Sequence, residues 1–150
     1  MTTRKAGLSL ALLLLAVSPA SGQRSGGRFG AGLQGGPLSG FSVKAYPQVD
    51  RGRFESAVLT GSTDFDDYAY FQPAILDEIG LADSPLTFYV GPALAFSVEE
   101  RDVQAGLAAL AGVLFYRSRF EIYLELSPRL MLAGGREAVA SAGVGFRFYP

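Results

Sequence analysis

The run from Ala138 to Tyr149 limits the possible folds of this chain more than any other stretch. One phase reads Ala138, Ala140, Ala142, Val144, Phe146 and Phe148, all apolar. The other reads Val139, Ser141, Gly143, Gly145, Arg147 and Tyr149, small or polar apart from Val139. Alternation with a period of two places successive side chains on opposite faces, so this is a strand between two different surroundings. A barrel that closes on this strand predicts a seam with the first strand, near Phe29 to Leu33.

The pattern recurs along the chain. Turn-forming residues gather at Gly35-Gly36-Pro37, Pro47 to Gly52, Gly61 to Asp67, Gly80 to Pro85, Glu99 to Asp102, Arg117-Ser118 and Gly134-Gly135-Arg136. They separate eight segments: 29–35, 38–47, 52–60, 68–77, 86–98, 103–116, 119–132 and 138–149. An even number of strands, each joined to its sequence neighbour, predicts an all-β, eight-stranded antiparallel up-and-down barrel. The fifth segment sets Leu86, Phe88, Val90, Pro92, Leu94, Phe96 and Val98 against Thr87, Tyr89, Gly91, Ala93, Ala95, Ser97 and Glu99. The seventh sets Phe120, Ile122, Leu124, Leu126, Pro128, Leu130 and Leu132 against Arg119, Glu121, Tyr123, Glu125, Ser127, Arg129 and Met131. A helical reading competes only in the Ala- and Leu-rich run from Ala105 to Leu114.

Alternation alone does not say which phase faces outward. A soluble barrel buries its apolar phase, and a transmembrane barrel turns it to lipid. Three features favour the second arrangement. Gly, Ala and Ser crowd between the charges of the polar phase, as a narrow eight-stranded interior requires. Phe88, Phe115, Phe120, Phe146 and Phe148 fall near one end and predict an aromatic girdle. Ser141, Gly143, Phe146 and Phe148 together fit the closing-strand signal of outer-membrane barrels, which assembly machinery reads.

The first residues read as a targeting segment. Arg4 and Lys5 precede a short apolar core, Leu8 to Val17, and the small residues Ser18 and Ala20 follow. That predicts a signal peptide over 1–20 cleaved after Ala20, with Gly22 as the alternative. The apolar core is shorter than the roughly 20 residues that span a bilayer as a helix. Residues 21–28 read as a flexible lead-in, and 29–150 as the barrel domain. The sequence lacks Cys, so no disulfide framework supports an exported chain. Its net charge of −1 falls further once Arg4 and Lys5 are removed, which argues against nucleic acid as a partner.

Several short runs carry a family resemblance. Gly30-Ala31-Gly32 with Gly36-Pro37-Leu38-Ser39-Gly40-Phe41-Ser42-Val43-Lys44 resembles the first hairpin of an uncharacterised group of small bacterial outer-membrane β-barrels. Tyr89-Val90-Gly91-Pro92-Ala93, Glu125-Leu126-Ser127-Pro128 and Gly143-Val144-Gly145-Phe146-Arg147-Phe148-Tyr149 fit the same group. More distantly the chain is similar to eight-stranded OmpX-like and opacity-like barrels. The resemblance implies a monomeric barrel in the outer membrane of a Gram-negative-type bacterium. Its partners would be outer-membrane lipid, periplasmic chaperones and the barrel assembly machinery. Short connections at both ends separate it from adhesive barrels with long outer loops.

The chemistry is narrowed by residue types. His is absent, which removes Ser–His triads, and the lack of Cys removes thiol nucleophiles and soft-metal sites. No catalytic, cofactor or metal site is expected, and the chain reads as a non-enzymatic protein. Lys44, Arg53, Glu55, Glu121, Glu125, Arg129 and Arg147 fall on inward phases and predict an interior polar network that plugs the barrel. Glu121 and Glu125 sit about 13 Å apart along one strand, too far for a paired-carboxylate hydrolase. Asp64, Asp66 and Asp67 lack a defined ligand spacing and read as a solvated loop, as do Glu99, Glu100 and Asp102. The alternative to a membrane barrel is a soluble periplasmic lipocalin-like barrel with a lipid or other apolar ligand inside.

Overall fold

A computed structural model describes residues 26–47, 55–63, 68–100, 102–133 and 137–150. Its strands are β1 (Phe29–Gly35), β2 (Gly40–Ala45), β3 (Ser56–Thr63), β4 (Tyr68–Gly80), β5 (Leu86–Glu99), β6 (Asp102–Arg117), β7 (Phe120–Met131) and β8 (Glu137–Phe148). Each pairs antiparallel with its sequence neighbours, and β8 returns to β1 to close the barrel. The seam runs from Ala31 opposite Phe148 to Gly35 opposite Val144. The end where β1 starts and β8 finishes is called the base, and the opposite end the mouth. The expected signal peptide and the first part of the lead-in, residues 21–25, lie outside the described residues.

The run from Ala105 to Leu114 is strand, within β6. Its Ala and Leu content suits a helix in isolation, but β5 and β7 pair with it on both sides. Tertiary pairing therefore overrides local preference. β4 continues past residue 77 to Gly80, and β3 is described from Ser56, residues 52–54 of the expected segment lying outside the described residues. The lead-in is tied down at its end, where Gly27 N donates to Pro150 O at 3.0 Å and Tyr46 N donates to Arg28 O at 2.8 Å.

The strands are strongly staggered. An inward row begins at Gly30 near the foot of β1 and passes through Lys44, Val58, Ala74, Ala93, Ala108 and Arg129 to Val139. It reaches β8 well above Val144, which faces the last residue of β1. Such a stagger means that the strands tilt against the barrel axis, and an eight-stranded interior so formed is just wide enough for side chains. Lys44 and Arg129 share this row yet lie at opposite ends of the barrel.

Burial separates the two phases. Along β7, Glu121, Tyr123, Glu125, Ser127 and Met131 are buried, while Phe120, Ile122, Leu124, Leu126 and Leu130 are exposed. β5 and β8 alternate likewise. Leu124 is 56% exposed and Leu126 60%. Among the described strand residues on the outward phase, Asp77 and Arg117 are the charged ones. The outer face is therefore apolar, while the interior combines polar and ionic groups with buried Val58, Leu76, Leu110 and Leu114.

Large inward rings need small partners in so narrow a space. Tyr89 lies opposite Gly112 and Tyr123 opposite Gly145, each pair directly across the ladder. A Cβ on Gly145 would lie 2.4 Å from the Tyr123 ring, and one on Gly112 would lie 2.6 Å from Tyr89. The ring folds over the bare backbone and fills the volume a side chain would occupy. Gly30 takes the same role beneath Tyr149, where a Cβ would come within 2.5 Å of the ring; outside the wall, Phe41 covers its partner Gly61.

The seam is packed to contact at Gly32, where a Cβ would meet the Phe146 carbonyl oxygen at 1.7 Å. Gly32→Ala is expected to destabilise the refolded barrel by about 1–3 kcal/mol in denaturant unfolding. Gly80→Ala meets nothing within 4 Å and should stay within about 0.5 kcal/mol of the parent. Equal effects at the two positions would contradict a tightly closed seam.

Candidate functional site

The lower interior holds an ionic cluster assembled from β2, β4, β7 and β8. Strand alternation carries Lys44, Glu78, Glu121 and Arg147 inward, and the stagger brings them together at the base. Lys44 Nζ lies 2.5 Å from Glu78 Oε1 and 3.2 Å from Glu121 Oε2. Arg147 forms a direct ion pair with the other oxygen of Glu121. Lys44 and Glu121 are fully buried, and Arg147 almost so. Charges out of water are stable only when paired and hydrogen-bonded, and here each carboxylate faces a cation.

Neutral donors and acceptors complete the shell. Arg147 donates to Ser42 Oγ from Nε at 3.0 Å and from Nη2 at 2.7 Å. Tyr149 donates to Glu121 Oε2 at 2.6 Å. Ser56 and Tyr46 donate to Glu78 Oε1 at 2.9 and 3.0 Å, and Tyr46 also bonds Tyr116. Lys44 Nζ lies 5.1 to 5.8 Å from the ring centres of Tyr46, Tyr89 and Tyr116, where the ring faces attract a cation. Burial, and then the Glu121 carboxylate, push the Tyr149 hydroxyl well above the ordinary phenol range. Burial and then Glu78 do the same for Tyr46. Both remain protonated donors.

Higher in the lumen the polar groups pair in smaller sets. The Arg147 guanidinium stacks 3.9 Å from the Tyr123 ring centre, and Tyr123 donates to Gln34 Oε1 at 3.0 Å. Tyr89 donates to Glu125 Oε2 at 2.9 Å. Tyr70 bonds Gln72, and Gln72 Nε2 donates to Ser127 Oγ at 2.9 Å. Arg129 lies 5.1 Å over Tyr70 and donates to Ser141 Oγ at 3.4 Å. Leu38, from the β1–β2 turn, packs with Tyr70, Ala95 and Met131 and caps this region towards the mouth.

Of the residues expected inside, Lys44, Glu121, Glu125, Arg129 and Arg147 do face the lumen. The structure joins Lys44, Glu121 and Arg147 directly, and it seats Glu125 and Arg129 above them. Glu55 corrects the expectation. It is exposed, because it falls on the outward phase of Ala57 and Leu59 while Ser56, Val58 and Thr60 face inward, and its N donates to Leu76 O at 2.9 Å as the ladder continues. Arg53, Asp64, Asp66 and Asp67 lie outside the described residues. Sequence reasoning missed Glu78, although it shares a phase with Tyr70, Gln72, Ala74 and Leu76; ending the strand at 77 cut it off. It also missed the tyrosines as hydrogen-bond donors to the cluster.

On the outer face Phe120, Phe146 and Phe148 are exposed, while Phe88 and Phe115 are half-buried, all towards the base. The Phe120 and Phe148 rings lie 5.2 Å apart. A second aromatic set, Phe41, Phe71 and Phe96, follows one register row through Gly61 towards the mouth. Ser141 is buried, and Gly143 lies beside the Gln34 side chain.

The cluster satisfies itself chemically. Its carboxylates are occupied by cations and hydroxyls, and among the described residues no His, Cys, Asp or Glu group has the geometry of a metal site. Compared with protein-family models, curated proteins and solved structures, the chain matches none.

Glu121 is the shared partner of both cations, so its removal leaves two buried positive charges short of a counter-ion. Glu121→Gln is expected to cost about 3–5 kcal/mol of barrel stability. Glu125→Gln keeps a hydrogen-bonding group for Tyr89 and should cost about 1–2 kcal/mol. Denaturant midpoints of the two variants check this order, and the reverse order would overturn the assignment of Glu121 as the hub.

Proposed function

We propose that the chain is a non-enzymatic integral outer-membrane β-barrel with a structural or surface role. In this reading it is exported by a cleaved signal peptide, escorted by periplasmic chaperones and inserted as a monomer by the barrel assembly machinery. The observation that carries it is the inversion of polarity. An outward wall of Leu, Val, Ile, Phe, Ala and Pro encloses buried Lys44, Glu121 and Arg147 and half-buried Glu78. Water would leave that wall unstable, whereas hydrocarbon welcomes it and a closed ladder leaves no backbone group unpaired in lipid. The aromatic residues towards base and mouth fit the two interfacial girdles of such a barrel.

The interior supports a plugged barrel rather than an open pore. The ionic cluster and its tyrosines fill the base, and Leu38 packs over the upper lumen. A soluble barrel that carries an apolar ligand calls for an apolar interior. Here the base of the lumen instead holds the ionic cluster of Lys44, Glu78, Glu121 and Arg147.

Cell fractionation tests the reading: the mature protein should pellet with the outer membrane and migrate differently in detergent gels before and after boiling. Recovery from the soluble periplasm would favour the lipocalin-like alternative. Leu124→Arg places a charge on the outward wall and should cost about 2–4 kcal/mol of folding into lipid. An unchanged folded fraction for this variant in vesicles would count against lipid contact at that face.

A further inference from the structure

Among the described residues, the two ends of the barrel differ in charge. Exposed Glu99, Glu100, Asp102 and Glu137 mark the mouth. At the base, the two-residue β6–β7 connection presents exposed Arg117 and Arg119 on either side of Ser118. Ser118 has φ 58°, which turns the chain back within that connection. Arg117 pairs across the ladder with Phe120, and Phe120 with Phe148, so one register row carries a guanidinium and then two rings. Phe120 is 51% exposed, and the Phe120–Phe148 ring pair sits on the outward wall beside the seam. The turn itself is held, since Tyr149 N donates to Arg119 O at 2.8 Å. Among the described residues, the exposed acids of the base, Glu55 and Asp83, belong to the β3 entry and the β4–β5 turn rather than to this row.

We propose that Arg117 and Arg119, with Phe120 and Phe148 beside them, form a docking site for the phosphate of an anionic phospholipid. The site rests on the membrane reading above and adds a partner and an orientation to it. The rings lie at the depth where acyl chain meets headgroup, which is where aromatic girdles sit. The guanidiniums lie one step farther out, at phosphate depth, and a guanidinium matches two phosphate oxygens at once. A diester headgroup with no cation of its own, such as phosphatidylglycerol, leaves its charge for the arginines; phosphatidylcholine neutralises it internally. The base then faces the phospholipid leaflet, and the acidic mouth faces away from it.

The test uses the full barrel folded into vesicles of phosphatidylcholine alone or of an equal mixture with phosphatidylglycerol. Spin-labelled phosphatidylglycerol and phosphatidylcholine report how much of each lipid the protein immobilises. The parent should immobilise phosphatidylglycerol preferentially, by up to about fivefold for each arginine. Raised salt should shrink the preference, because both arginines are exposed. Arg117→Glu with Arg119→Glu should abolish it, and the milder Arg117→Gln with Arg119→Gln should reduce it while leaving insertion unchanged. Equal immobilisation of the two lipids by the parent, or a preference untouched by both double variants, overturns the site. Failure of the parent to fold into either kind of vesicle is a different result, which removes the membrane reading and this proposal with it.

Discussion

Glu121 is the point on which the interior depends. One carboxylate accepts from Lys44, from Arg147 and from Tyr149, and through them it links β2, β7 and β8 to the residue that follows β8. Lys44 extends the link to Glu78 on β4. Ion pairs at a surface contribute little because water screens them. Inside a packed lumen each charge is instead obligatory to its partners, since removing one strands the others. The cluster therefore restricts how these strands can be registered: a slip by one residue would turn Lys44 or Glu121 onto the apolar outer wall.

The polarity of the wall and the packing of the lumen are two sides of one alternation. Every outward Leu or Phe has an inward neighbour that must fit a narrow space. Beside two of the inward tyrosines, Tyr89 and Tyr123, an adjacent strand supplies Gly. The pairs Tyr89–Gly112 and Tyr123–Gly145 show how large donors enter the lumen without widening it. Gly145 leaves room for the Tyr123 ring, and that ring in turn supports Arg147. A glycine in a strand usually weakens it, and here it is compensated by the ring that covers it.

Much of the architecture was legible because a period of two is a local signal. The closing run from Ala138, the alternation of β5 and β7, and the turn clusters were enough for eight strands, their pairing order and the β1–β8 seam. The inward positions of Lys44, Glu121 and Arg147 followed from phase alone. Which of them would meet did not follow, because that is decided by the stagger between strands, a property of closure with no local signature. Glu78 was hidden by a strand end, the least local feature of a β-pattern, whereas Glu55 was assigned to the wrong phase of β3, whose inward residues are Ser56, Val58 and Thr60. Tyr149 falls on the small or polar phase of the closing segment, and it is buried against Glu121 although β8 itself ends at Phe148, because the alternation continues one residue further.

The seam also sets an order in time. The bonds that stabilise the interior join residues far apart in the chain: Ser42 and Arg147 are separated by 105 positions, Gln34 and Tyr123 by 89, and Lys44 and Glu121 by 77. Hairpins such as β6–β7 can form early, since their partners are adjacent. They would hold their charges without counter-ions until β8 arrives beside β1. Contacts of such long sequence separation form late and slowly, because loop closure must come first. Neutralisation of the lumen and closure of the wall are thus a single event, and a partly closed barrel would carry unpaired charges and an open edge together.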